Sequence, residues 1–459
     1  MICENLEQVK AAWQGVLAIQ GDKVEVRDEG RLRNDLIDTL IFTAVFSPQA
    51  ETAAAARRLI GQAAAALGIF SASIQPLYEA MGRREVSGFT VPAINIRGLT
   101  YWVAQAVLRA AMRENVGAVL FEIARSEIGY TFQRPAEYAA AVTAAAIKTG
   151  YRGPLFLQGD HFQVIAKRFH QDAAQEIKAV KDLIWEAIEA GFYNIDIDTS
   201  TLVDLTQPTI SEQQRVNYSL AAEFTAVVRD LEPAGVTVSV GGEIGEVGSK
   251  NSTVEELQAF MSGYRAELQK YDKSFKGISK ISVQTGTTHG GVPLSDGTIA
   301  KVNLDFDTLA KLSREARDVF GMAGAVQHGA STLPDECFDK FPAIETAEIH
   351  LATGFQNMIF DSPNFPDELR KRIYLDLHRA HGNEKKPGDT DEQFLYKSRK
   401  QSFGIFKKEL WQLPEDTLRA LGGELEKQFS FLFEKLNMGN TCATVNRYVP
   451  PRHEIITPA

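Results

Sequence analysis

From residue 89 onward, short apolar runs alternate with longer stretches in which apolar residues recur every three or four positions. The runs at 91–96, 117–123, 154–157, 194–198, 236–240, 280–284, 323–327 and 355–360 read as buried strands. The stretches at 101–114, 136–148, 173–190, 211–230, 253–270, 307–319 and 344–353 read as the helices between them. One strand and one helix every 25 to 45 residues or so is the spacing of βα repeats. Eight such strands predict an α/β fold, a TIM (β/α)8 barrel, with its active site at the C-terminal ends of the strands. An open doubly wound sheet is the alternative, but no Gly-x-Gly-x-x-Gly follows the first strand.

The flanks differ from this rhythm. Residues 1–85 read as a helical N-terminal extension, with an alanine-rich helix at 53–66 and no chemical motif. Residues 86–363 are expected to form the barrel and to hold the site. Residues 364–459 read as a helical C-terminal extension and tail, with amphipathic patterns at 367–380, 391–413 and 414–436. Amphipathic helices need a surface to cover, on the barrel or on a second copy, so a homo-oligomer, dimer or tetramer, is expected. Arg399 and Lys400 read as a solvated basic face.

Composition narrows the function. The 459 residues are 44% hydrophobic and 24% charged, as in a soluble globular protein. A net charge of -10 argues against nucleic acid as the main partner. It leaves room for a small phosphorylated substrate. The three cysteines, Cys3, Cys337 and Cys442, have no metal-knuckle spacing and read as reduced thiols in a cytoplasm. No apolar run reaches the roughly 20 residues of a membrane span, and the N-terminus does not read as a signal peptide.

If strand ends hold the site, unusual polar residues should gather there. They do: Asn95; Glu122 and Ser126; Asp160 and His161; Asp196, Asp198 and Ser200; Glu243; His289; His328 and Ser331; Asn357 and Asp361. Three of eight histidines, His161, His289 and His328, close three different strands. Three imidazoles with an open fourth position are the arrangement of a catalytic zinc site, and the remaining five histidines are assigned to helices, loops or the tail. Gly290, Gly329 and Ser331 follow two of these histidines and suit an anion, since glycine lets backbone N–H groups approach closely. Asp160 adjoins His161 and in an extended chain points the other way, toward substrate, as a general acid/base. A Schiff-base route would need a lysine; Lys280 is placed at the wrong end of its strand and Lys250 in a loop.

These residues, over 89–362, resemble the class II, metal-dependent fructose-bisphosphate aldolases. Val91-Pro92-Ala93-Ile94-Asn95 is similar to that family's opening strand, and Gly159-Asp160-His161 to its Asp-His pair. Gly242-Glu243-Ile244-Gly245 resembles its Glu-Leu-Gly element, and His289-Gly290 and His328-Gly329-Ala330-Ser331 its other two ligand segments. The resemblance implies zinc on His161, His289 and His328, with Asp160 and Glu243 catalytic. It implies a sugar phosphate framed by Asn95, Ser126, Gly290, Gly329, Ser331, Asn357, Asp361 and Ser362. It also implies aldol cleavage of a ketose (bis)phosphate, a place in glycolysis or gluconeogenesis, and no nucleic acid or membrane partner. Two departures stand out. The loop Glu246 to Ser252 lacks the family's proton-moving Glu at its usual offset, leaving Glu246, Glu255 or Glu256 as substitutes. The family's last strand carries an Asn-Ile-Asp-Thr element, here set against Asn357 to Ser362. An isomerase or epimerase of a sugar phosphate or sugar acid on the same barrel is the alternative reading.

Overall fold

The barrel strands are short and buried on both faces, so they read as continuous apolar runs rather than as alternating ones. The structure, a computed structural model, describes residues 2–21, 23–245, 250–286, 294 and 304–450. Strands β1 (Leu17–Gln20) and β2 (Lys23–Val26) form an antiparallel hairpin, and β3 (Ile69–Ser71) follows. Then come β4 (Val91–Asn95), β5 (Leu120–Ala124), β6 (Gly153–Gln163), β7 (Asn194–Asp198), β8 (Ser239–Glu243), β9 (Lys280–Ser282), β10 (Ala325–Gln327) and β11 (Glu348–Leu351). From β4 to β11 each strand pairs in parallel with the next, and β11 pairs with β4, so the sheet closes on itself as the expected (β/α)8 barrel.

The intervening helices fall close to their predicted places, among them Thr100–Arg113, Pro135–Thr149, Ala173–Glu189, Ile210–Leu231, Val254–Tyr271 and Phe306–Asp318. Their starts are set by short polar side chains: Thr209, Thr253 and Asp305 each accept a hydrogen bond from a backbone N–H of the first turn.

Three expectations are corrected. The last strand is not 355–360, and 344–353 is not a helix. Glu348–Leu351 is the strand, and Thr353–Asp361 is a helix that buries Phe355, Ile359 and Phe360 at helical spacing. The apolar run 355–360 has the content of a strand but the period of a helix. Second, β6 runs on through Gly159, Asp160 and His161 instead of ending at Leu157. Third, the N-terminal segment is helical over Leu6–Trp13, Ile37–Phe46, Ala50–Ala66 and Gln75–Gly82 but also contributes strands. β3 pairs with the start of β6, Ile69 opposite Gly153. Asn194 at the start of β7 secures the joint: its Oδ1 accepts from Ile74 N at 2.9 Å, and its Nδ2 donates to Ala72 O at 3.1 Å and Leu157 O at 2.9 Å.

One connected cluster of buried apolar side chains takes in Val9 and Leu40 near the N-terminus, Ile94 and Ile195 in the barrel, and Leu425 and Phe429 near the C-terminus. Trp411 packs edge-on against Phe42, Phe46 and Trp102, joining all three parts of the chain. No helix among the described residues is long and apolar enough to cross a membrane.

Candidate active site and metal centre

The pairing of β6 with β7 slips between Gly159 and Phe162, a bulge of the kind that re-aims side chains beside functional sites. His161 sits at φ 40°, in the left-handed region that side chains with a Cβ rarely adopt. Gly159 has no substitute here: a Cβ on it would lie 2.4 Å from the Phe162 ring. A regular strand would point Asp160 and His161 to opposite faces, as predicted. The bulge overturns that. Both enter one chamber, with Asp160 Oδ1 3.6 Å from His161 Nε2.

His161 Nε2 also lies 3.1 Å from Nδ1 of His328, which follows the end of β10. The far nitrogen of each ring is engaged elsewhere. His161 Nδ1 lies 3.1 Å from Asp198 Oδ2 and 3.3 Å from Glu243 Oε2, and His328 Nε2 lies 2.8 Å from Ser282 Oγ. Asp198 is itself fixed, accepting from Ser200 N at 3.0 Å, Ser200 Oγ at 2.6 Å and Gln163 Nε2 at 2.5 Å. A carboxylate behind an imidazole sets its tautomer and orientation for metal binding. Ligands about 2.1 Å from one ion stand roughly 3.0–3.5 Å apart, so the spacing of the two inner nitrogens suits a shared cation. The donor set therefore fits a divalent metal. His289, the third predicted ligand, and Gly290 lie outside the described residues.

Electrostatics agree. Burial alone would lower the His161 pKa, but the carboxylates of Asp160 and Glu243 outweigh it and hold it well above the usual value. Burial, reinforced by Asp198, pushes Glu243 up to about 7. Asp198 is held low despite burial, chiefly by its hydrogen bond to His161. Among the described residues this is a desolvated chamber in which carboxylates outnumber the cationic groups.

Asn95 connects the chamber to its wall. Its Nδ2 donates to Glu127 Oε2 at 2.7 Å and reaches Asp160 Oδ2 at 3.4 Å. Glu127 in turn accepts from Arg97 Nε at 2.7 Å. Gly329, at φ 67°, turns the chain out of β10, and Ser331 Oγ accepts from Gly354 N at 3.1 Å. Ser126 is exposed just after β5. Asn357, Asp361 and Ser362 are not on the last strand. Arg399 donates to Asp361 Oδ2 at 3.0 Å and to Asn357 Oδ1 at 2.6 Å, and Ser362 Oγ donates to Glu424 Oε1 at 3.0 Å. Arg399 is thus buried against the barrel, not part of a solvated face.

Sequence reasoning missed a second layer beneath this chamber. His350 is buried inside the barrel rather than lying in a helix, loop or tail. Its Nδ1 lies 3.0 Å from Glu122 Oε2 and 3.2 Å from Asp160 Oδ1; its Nε2 lies 2.7 Å from Glu348 Oε1. Lys280 extends into the same interior, donating to Gln158 Oε1 at 2.8 Å, to Asp196 Oδ2 at 3.0 Å and to Glu348. Tyr78 also donates to Glu348. Gly241 makes room for the pair, since a Cβ there would lie 2.2 Å from Asp196 Oδ1. Burial disfavours the Lys280 ammonium, but Asp196 and Glu348 outweigh it and raise its pKa, so it is a poor nucleophile. Lys250 is exposed. Two readable signals pointed here: the alternation Glu348-Ile349-His350-Leu351, and charged residues opening two short apolar runs.

The model of the fructose-bisphosphate aldolase class-II family matches residues 77–401. No curated protein matches the chain by sequence. Among solved structures, a fructuronate-tagaturonate epimerase from Cohnella laeviribosi is 12% identical, covers 92% of this chain and 93% of its own, and has a TM-score of 0.56. A probable tagatose 6 phosphate kinase from Sinorhizobium meliloti 1021 is 19% identical over 80% of this chain and 95% of its own, with a TM-score of 0.53. The fructose-bisphosphate aldolase of Campylobacter jejuni is 18% identical over 81% and 97%, with a TM-score of 0.49. At such identities these likenesses concern the fold alone.

Proposed function

This chain belongs to the fructose-bisphosphate aldolase class-II family, and from that premise we propose a zinc-dependent aldolase that reversibly cleaves fructose 1,6-bisphosphate. The products would be dihydroxyacetone phosphate and glyceraldehyde 3-phosphate. The observation that carries the reading is the convergence of His161 Nε2, His328 Nδ1 and Asp160 at the C-terminal mouth of the barrel. A zinc ion on His161, His328 and His289 would supply a Lewis acid for the donor carbonyl.

The protein groups then divide the remaining work. Asp160 takes the proton from the hydroxyl of the carbon that becomes the aldehyde and returns it in the condensation direction. Asn95 holds the Oδ2 side of that carboxylate. Asp198 keeps His161 in one tautomer, and Glu243, close to neutral protonation, sits beside the same ring. Gly329, Ser331 and Ser126 offer N–H and O–H donors to the phosphates, and the sequence adds Gly290, which lies outside the described residues. A cytoplasmic homo-oligomer is part of the same proposal.

One feature favours a second reading, isomerisation or epimerisation of a sugar phosphate or sugar acid without C–C cleavage. Among the substitutes for the family's loop carboxylate, Glu246 lies outside the described residues, Glu256 caps its own helix by accepting from Thr253 N at 2.8 Å, and Glu255 is exposed. Triose phosphate release from fructose 1,6-bisphosphate, with and without EDTA, separates the two. Release that EDTA abolishes and zinc restores supports the aldolase. No release from zinc-loaded protein, with interconversion of ketose substrates, supports the alternative.

A further inference from the structure

The second layer of the barrel is chemically unfinished. Four carboxylates, Glu122, Asp160, Asp196 and Glu348, are buried there against one ammonium, Lys280. His350 stands among them, 4% exposed, and neither of its ring nitrogens is aligned for a hydrogen bond. Glu122 Oε1 is likewise buried without a hydrogen-bond partner. Buried polar atoms left this way commonly mark a missing water or ion.

The distances favour an ion. His350 Nδ1 lies 3.0 Å from Glu122 Oε2 and 3.2 Å from Asp160 Oδ1, close contacts made without hydrogen-bond alignment. Ligand atoms about 2.1 Å from one cation approach one another at about 3.0–3.4 Å. Around this trio stands a supporting set. Glu348 Oε1 lies 2.7 Å from the opposite nitrogen of His350, and Glu348 is itself held by Lys280, Tyr78 and Gln158 Nε2, the last at 2.9 Å. Gln158 Nε2 also donates to Glu122 Oε2 at 2.9 Å. A ligating imidazole backed by an anchored carboxylate is the usual construction of a metal site.

We propose that Glu122, His350 and Asp160 hold a second divalent cation, deeper in the barrel than the His161–His328 site. Glu122 pairs in register with Gln158, two residues before Asp160 on β6, so the site lies one layer toward the N-terminal end. Asp160 Oδ1 faces both layers, 3.6 Å from His161 Nε2 and 3.2 Å from His350 Nδ1, and would be shared between the two ions. Two carboxylates and one imidazole suit zinc, manganese or magnesium rather than a soft metal. The deeper cation balances the excess carboxylate charge and meets Asp160 from behind.

The test is metal stoichiometry, which is read without the reaction, so its failure and that of the aldolase reading are separable. The full chain is loaded with ZnCl2, desalted and measured by plasma mass spectrometry. Two equivalents in the wild type, falling to one in Glu122→Gln, in His350→Gln and in His161→Ala, are expected. One equivalent that Glu122→Gln loses and His161→Ala keeps would still support the deeper site. One equivalent that Glu122→Gln retains would overturn it, leaving a protonated His350 among the carboxylates. If the variants fail to fold, MnCl2 titration of the wild type followed by electron paramagnetic resonance decides. Coupled manganese pairs at the second equivalent support the shared carboxylate, and an uncoupled six-line spectrum throughout overturns it.

Discussion

Lys280 and Glu348, the first residues of β9 and β11, form an ion pair inside the barrel, with β10 between their strands. Both side chains are fully buried, and Lys280 reaches Asp196 as well, at 3.0 Å. A barrel interior is ordinarily filled by branched apolar side chains. Removing one partner of a buried pair leaves an uncompensated charge and costs about 3–5 kcal/mol. Lys280→Met should therefore lower chemical-denaturation stability by that order. The double variant Lys280→Met/Glu348→Gln should lose less than the sum of the two single changes. Additive losses would mean that the two residues are not energetically coupled.

His161→Ala should remove metal from the upper site and abolish activity together, because it takes away one of the two inner imidazole nitrogens, His161 Nε2 and His328 Nδ1, that stand 3.1 Å apart. Metal analysis and turnover should fall in step. An active His161→Ala enzyme would end its assignment as a ligand.

Metal binding should release protons near neutral pH. In the metal-free protein the His161 pKa is raised and Glu243 is pushed up to about 7, so both carry protons where free side chains would not. A ligand must be deprotonated, so affinity should rise with pH, up to about tenfold per unit for each proton displaced. Calorimetry in two buffers of different ionisation enthalpy measures the released protons directly. Equal apparent enthalpies in both would contradict the prediction.

Glu122 carries the opposite consequence for stability. Burial, with Asp160 next, raises its pKa to about 7 in the folded chain. A carboxyl with a raised pKa destabilises the fold where it must ionise, fully above pH 7 and progressively less as pH falls toward its unfolded value of about 4.3. Glu122→Gln should thus stabilise the metal-free protein by a few kcal/mol at pH 8 and hardly at pH 4.5. Melting curves at the two pH values test this. A gain that does not change with pH would point to packing instead.

The readable parts of the chain were those whose signal is local. Asn194–Asp198 is buried on every residue and was placed to the residue. Asp160, His161 and His328 stood out as polar groups closing apolar runs, and the structure brings them together. The last strand was misplaced because four residues of Glu-Ile-His-Leu carry little apolar signal beside the following run of Phe355, Met358, Ile359 and Phe360. The inward turn of both Asp160 and His161 depends on the slipped pairing with β7, a contact between distant strands. For the same reason Lys280 was set aside. Its partners, Gln158, Asp196 and Glu348, meet it only once the barrel has closed.

The joint between β3 and β6 has a consequence for how the chain is made. Ile69–Ser71 finds its strand partner only when residues 153–155 have been synthesised, about 80 positions later. Asn194, which fastens Ile74 and Ala72, arrives later still. The early segment must therefore wait on the ribosome with an open strand edge, and such edges invite mispairing. Emergence of β6, rather than completion of the first ninety or so residues, is the point at which that strand is paired, and β7 then fastens it through Asn194.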